Sequence, residues 1–228
     1  MNLREELEKM ILDLSFEGKY VVIAGGGAEG YRKTLSFLDE GAKILVVSRN
    51  FSKGIKELHQ SKKIDILQTD IKDSEVFIDG LNPKPYLFLA VTDDPDLNLQ
   101  LAKNARSAVC MVYVTDSPSI SDFILTAVTK IGDVKIAVST SGKSPTMAKA
   151  LSKRIAETIT QEDLLQIKLQ HYVRTLLKQR ILDHKIRKKI LRRILEDEQI
   201  MKLLEACKFE VAQQRAMEIL ESQNLREV

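Results

Sequence analysis

The residues able to do chemistry cluster first around "KYVVIAGGGAEGYRK", residues 19–33, where Gly25, Gly27 and Gly30 stand at G-x-G-x-x-G between an apolar run and a helical pattern. This is the order that a pyrophosphate requires. The first glycine permits a tight turn, the second lets backbone approach the phosphates, and the third lets helix and strand pack closely. A helix that starts near Ala28 aims its unpaired N–H groups and positive dipole end at the same place. Gly25, Gly26, Gly27, Ala28, Glu29 and Gly30 are therefore the candidate phosphate-binding residues, against the plainer reading of a tight turn alone. Glu29 is the odd member, since a carboxylate beside phosphate weakens binding unless it points away.

A second strand normally ends in an acid that takes both ribose hydroxyls of NAD. Here it ends Ser48-Arg49-Asn50, with no acid. Ser48 or Asn50 can hydrogen-bond a ribose, whereas Arg49 can pair with a 2′-phosphate and so favour NADP. These residues leave NAD and NADP both open as the cofactor. "AVTDDPDLN" (90–98) follows another apolar run and puts Thr92 and Asp93 at a strand's carboxyl end, where open α/β sheets bind ligands. Asp93 or Asp94 also suits the N-cap of the next helix. Asp116 ends a further strand, in a turn before Pro118. "VSTSGKSPTMAKAL" (138–151) joins a small-residue loop containing Ser139, Thr140 and Lys143 to a helix carrying Lys149, a pattern suited to an anion.

The elements that must position these residues follow from hydrophobic pattern. Runs at 20–25, 43–48, 64–68, 86–91, 108–114 and 134–140 are predicted strands, and 31–42, 51–60 and 96–107 are predicted helices. Apolar strands alternating with helices imply a parallel sheet covered on both faces, a doubly wound α/β domain. All ten glycines and all five prolines precede residue 146. Beyond it the chain is expected to be helical, with breaks near 160–163 and 196–199. There Thr160 with Asp163 suits an N-cap, and Leu164, Ile167, Tyr172, Leu176, Ile181, Ile186, Ile190 and Ile194 form the expected apolar stripe.

Composition narrows the function. At 228 residues and 44% hydrophobic, the chain can bury a substantial core. Aromatics are 5% with no Trp, which supplies a base-stacking surface poorly, so nucleic acid is not the expected partner. Two cysteines about a hundred residues apart and three scattered histidines give no metal-ligand spacing, and both thiols are expected to be buried. No leader-like or membrane-spanning run is evident, and a soluble cytoplasmic protein is expected. The net charge of +3 conceals a concentration: Lys168 to Arg193 holds ten Lys or Arg against Asp183 alone. Such an imbalance points to an anionic visitor rather than a merely solvated face.

Taken in order, "LDLSFEGKYVVIAGGGAEGYRK", "AVTDDPDLN", "VTDSPSISDFILTAV" and "AVSTSGKSPTMAKAL" resemble the siroheme synthase family over about residues 10–155. The resemblance implies NAD-dependent dehydrogenation of precorrin-2 to sirohydrochlorin in siroheme biosynthesis. In some members iron insertion follows, although this sequence presents no ready iron site and no metal ligands are expected. It also implies a homodimer and an anionic tetrapyrrole substrate. The fold expected is a Rossmann-like dinucleotide-binding domain over 1–116, a dimerisation segment over 117–156 and an all-helical C-terminal domain over 157–228. The family's catalytic aspartate falls on Asp116, its glycines on Gly25, Gly26 and Gly27, and its Arg-Lys pair on Arg32 and Lys33. Ser139, Thr140, Lys143 and Lys149 become the expected substrate-binding residues. Where the family has Val-Ala, this chain has Glu29-Gly30. Two other readings remain: a non-catalytic dinucleotide-binding regulator with a basic helical tail, and another NAD(P) oxidoreductase with an anionic substrate.

Overall fold

The computed structural model describes residues 10–115, 117 and 119–224. The chain divides into two compact units, Met1–Leu125 and Thr126–Val228.

The first unit alternates β1 (Tyr20–Ala24), α1 (Ala28–Leu38), β2 (Lys43–Ser48), α2 (Lys53–Gln60), β3 (Asp65–Gln68), α3 (Ser74–Gly80), β4 (Leu87–Ala90), α4 (Pro95–Ser107) and β5 (Met111–Val114). The five strands form one sheet in the order β3-β2-β1-β4-β5, parallel throughout. Burial explains the order. Val21 to Ala24 of β1 and Leu87 to Ala90 of β4 are fully buried, so the most continuously apolar strands take the centre. Successive residues face opposite ways. Ile23, Val46 and Leu89 pack with Phe37 of α1 and Ile55 of α2, while Val22, Val47 and Phe88 pack with Ile78 of α3 and Leu101 of α4. The short helix α3, which hydrophobic pattern does not announce, is started by the Asp73 carboxylate accepting from the N–H groups of Glu75 and Val76.

An open sheet leaves two edges with unpaired backbone groups. On the β5 edge, the following segment doubles back. Asp122 N–H donates to Val112 O (2.9 Å), and its carboxylate accepts from Val112 N–H (2.8 Å) and from Arg106 of α4. Ser121 Oγ accepts from Val114 N–H at 2.9 Å. Two side chains thus stand in for a sixth strand.

The second unit begins with β6 (Ala127–Ile131) and β7 (Val134–Val138), followed by α5 (Pro145–Ala156), α6 (Gln161–Arg180), α7 (His184–Leu195), α8 (Glu198–Glu205) and α9 (Phe209–Asn224). The strand expected over 134–140 is present, but it corrects the expectation of a further parallel strand. It pairs antiparallel with β6, whose run had not been anticipated. Only Gly132 and Asp133 separate the two, and a parallel pairing needs a far longer crossover. Ser152 of α5, buried, fastens helix to hairpin by donating to Thr129 Oγ1 at 2.8 Å.

The helices after 157 break without glycine or proline. Thr160 and Asp163 form a reciprocal capping box, and Asp183 and Asp197 cap α7 and α8. Cys207, at φ 54°, turns the chain between α8 and α9. The expected breaks at 160–163 and 196–199 are present, joined by others at 181–183 and 206–208. The core is Leu169, Val173 and Leu177 with Ile190, Ile194, Ile200, Leu204, Ala216 and Leu220. This corrects the expected stripe on α6. Ile167 and Tyr172 are exposed, because the buried line runs instead through Leu169, Val173 and Leu177 at i, i+4 spacing. Cys207 is also exposed, against expectation, whereas Cys110 is buried. Burial pushes the Cys110 thiol above its ordinary value, opposed by the nearby Lys84 charge.

Asp122→Ala removes the acceptor of a strand N–H and the partner of Arg106. It is expected to destabilise the first unit by roughly 1–3 kcal/mol, read as a lower urea midpoint with the far-ultraviolet spectrum of the folded state retained.

Candidate functional site

In the first unit, β1 and β4 are neighbours whose following helices lie on opposite faces of the sheet. Their carboxyl ends therefore flank the crevice at a topological switch point, where open α/β sheets bind ligands. The glycine turn sits on β1's end. Gly25 has φ +133°, and a Cβ there would strike the Val91 carbonyl. A Cβ on Gly30 would collide with the Gly25 carbonyl oxygen, so α1 rests directly on the end of β1. Beside Gly27 the space is open, with no atom of the described residues within 4 Å of a Cβ placed there. Gly27 is the N-cap of α1 and gives no side-chain cap bond. The first N–H groups of a helix have no partners within it, so the α1 terminus presents backbone donors with no competing side chain. These features fit a dinucleotide pyrophosphate.

Glu29 does not oppose that charge from the position its sequence suggests. Its carboxylate turns back along α1 to Arg32 Nη2 (2.7 Å) and Lys33 Nζ (3.3 Å). Partial burial pushes its pKa up, but the Arg32 hydrogen bond and the charges of Lys33 and Arg32 outweigh this and hold it below the ordinary 4.5. Lys33 is itself buried at 6% exposure and donates to the Tyr113 hydroxyl at 3.0 Å. Tyr113 in turn lies against Phe123. The first turns of α1 are thereby tied to β5. Sequence pattern gives no sign of this link, because Lys33 and Tyr113 are 80 positions apart.

Ser48, Arg49, Thr92 and Asp93 gather at the same carboxyl edge. The β2–α2 turn packs onto the glycine turn: Ser52 N–H donates to Gly26 O (2.8 Å), and a Cβ on Gly26 would meet Ser48 Cβ at 2.9 Å. Arg49 Nη2 lies 3.7 Å from Asp93 and its Nε 4.0 Å from Asp70, which follows β3. Asp94, not Asp93, caps α4. The Thr92 hydroxyl donates to Asn98 Oδ1 (2.7 Å), which also accepts from Thr92 N–H (3.0 Å). Asn98, 1% exposed, therefore shapes the β4–α4 turn. The sequence reading missed it, although an asparagine in the first turn after Asp-Asp-Pro is a signal of side-chain bonding to a loop. Two buried hydroxyls at this edge, Ser52 Oγ and Thr115 Oγ1, have no hydrogen-bond partner among the described residues. Asp116 and Pro118 lie outside the described residues.

In the second unit, Ser139 and Thr140 shape the loop that precedes α5. Ser139 Oγ accepts from Ser141 N–H (3.2 Å), and Thr140 Oγ1 from Ser144 N–H (3.0 Å). Ser141 and Gly142 both have positive φ, 52° and 80°. Ser139, Lys143 and Lys149 are exposed. On α6 and α7, Arg174, Lys178, Lys188, Lys189 and Arg193 are exposed opposite the buried Leu169, Val173, Ile190 and Ile194. The basic run is thus the outer face of those helices. No helix among the described residues is long and apolar enough to cross a membrane.

Residues 12–127 match a family model described as "Putative NAD(P)-binding". The precorrin-2 dehydrogenase of Methanosarcina barkeri is 33% identical over 216 residues, 93% of each chain. The chain belongs to the siroheme synthase family. The siroheme synthase of Nitrosococcus oceani is 30% identical over 65% of this chain, which corresponds to 30% of that longer protein. Among solved structures, SirC, a precorrin-2 dehydrogenase, superposes with a TM-score of 0.71 at 21% identity. It covers 92% of this chain and 100% of its own. Family membership agrees with the Rossmann order of the sheet and with the glycine turn. Against the family's usual Val-Ala, Glu29-Gly30 is accommodated: Gly30 by contact with Gly25, and Glu29 by its two cations.

Gly27→Ala is expected to keep the parent melting temperature, because its Cβ meets nothing, yet to weaken NAD affinity at least tenfold by calorimetry. Gly30→Ala is expected to lower the melting temperature as well. Because the Glu29 pKa is depressed on folding, its pairs contribute stability that is fully present above 4.5 and lost as pH falls through the lower folded value. Glu29→Gln is therefore expected to melt below the parent protein at neutral pH, with the gap closing on acidification below that value.

Proposed function

We propose that this chain oxidises precorrin-2 to sirohydrochlorin with NAD as acceptor, a step of siroheme biosynthesis. The observation that carries the reading is the uncapped α1 terminus over the open side of Gly27, in a sheet of order β3-β2-β1-β4-β5, within a chain of this family. The matched relatives named as precorrin-2 dehydrogenases support the choice of substrate.

When bound, NAD supplies the hydride acceptor. The chain supplies the rest. Backbone N–H groups at Ala28 to Gly30 would hold the pyrophosphate, and Ser48, Arg49, Thr92 and Asp93 would border the remainder of the cofactor. The dehydrogenation releases a proton along with the hydride, and Asp116 is the proposed general base, its carboxylate accepting that proton. Ser139, Thr140, Lys143 and Lys149 are the proposed ligands for the carboxylates of the tetrapyrrole. The basic face of α6 and α7 draws an anionic substrate toward the protein. The working form is proposed to be a homodimer in the cytoplasm, with 117–156 as its dimerisation segment.

The test is anaerobic absorbance of the purified protein with precorrin-2 and NAD. The sirohydrochlorin spectrum is expected to grow in, and its absence from folded, NAD-binding protein would reject the substrate. Asp116→Ala is expected to bind NAD as the parent does while losing turnover by at least a hundredfold. Turnover at the parent rate would remove Asp116 from the mechanism.

A further inference from the structure

The end of β2 lacks the acid that reads ribose hydroxyls, and Arg49 in its place suggests a phosphate site and hence NADP. The structure surrounds that arginine differently. Asp70 comes from beyond β3 and Asp93 from the β4–α4 turn, and they approach one guanidinium at 4.0 and 3.7 Å. Both are remote from Arg49 in sequence, so only the parallel arrangement of β2, β3 and β4 brings the three together. The group lies beside the phosphate turn, because Ser48 and Asn50 pack directly on Gly26. The cofactor's ribose is read at this place in a sheet of this kind.

We propose that Asp70 and Asp93 jointly select NAD over NADP by neutralising Arg49 and supplying the carboxylates that the β2 terminus lacks. The inference rests on the dinucleotide reading and adds the residues that decide which dinucleotide is taken. Two carboxylates against one guanidinium leave a net negative charge. A 2′-phosphate carries further negative charge and needs an unoccupied cation in bidentate geometry. To obtain it, NADP must displace at least one carboxylate and leave that charge beside its own phosphate. A ribose with a free 2′-hydroxyl meets no such conflict, since ionised carboxylates accept hydrogen bonds from hydroxyls. All three side chains are more than half exposed, so the repulsion is partly screened and should weaken as salt rises.

The experiment is calorimetric titration of the full chain with NAD and with NADP, for the parent and for the Asp70→Asn, Asp93→Asn double variant. The parent is expected to bind NAD at least tenfold more tightly than NADP, and the ratio should shrink at high salt. In the double variant, whose positions are exposed and whose folding is checked by thermal melting, NADP affinity is expected to rise about tenfold. Adding Arg49→Ala to that variant should abolish the gain. Parent protein that binds both dinucleotides equally, or a ratio unmoved in the double variant, overturns the inference while leaving dinucleotide binding intact. Folded parent protein that binds neither overturns the dinucleotide reading as well.

Discussion

The approach of α1 to the end of β1 is the constraint on which the first unit depends. Gly30 stands so close to the Gly25 carbonyl that no side chain fits between them, and Gly25 itself is pressed against the Val91 carbonyl of the neighbouring strand's exit. The helix terminus is thereby held at the mouth of the crevice, with Gly27 open on the ligand side. A helix start has unpaired donors wherever it occurs. Here that start is fixed at a topological switch point and is left without a capping side chain.

Charge near this turn is balanced within the protein. Glu29, which alone would repel a phosphate, is engaged by Arg32 and Lys33 one turn along its own helix. Arg49, which alone would invite a second phosphate, is flanked by Asp70 and Asp93. Exposed pairs of this kind contribute only about 0.2–1 kcal/mol each to stability, so their consequence lies in which charges a ligand meets. Lys33 differs in being buried. Its bond to Tyr113 couples the first turns of α1 to β5.

The helical part of the second unit solves a different problem, since residues 146–228 contain no glycine or proline and must still turn between helices. Thr160, Asp183 and Asp197 start helices by accepting backbone N–H groups, and Cys207 adopts the left-handed conformation that glycine usually takes. The long basic stretch is a consequence of this packing. With Leu169, Val173, Ile190 and Ile194 turned inward, its lysines and arginines have only the outer face to occupy.

Local pattern determined much of this protein. Continuous apolar runs specified β1 and β4 as strands, G-x-G-x-x-G specified a tight turn between strand and helix, and Thr160 with Asp163 specified a helix start. These follow from sequence because each depends on residues within one turn or one strand of each other. Tertiary structure decided what depends on distant partners. The buried line of α6 was set by the helices packed against it. The charges of Glu29 and Arg49 also changed meaning through their neighbours. A charged residue's effect on a ligand depends on what lies within a few ångströms, and for Arg49 those neighbours come from two other strands.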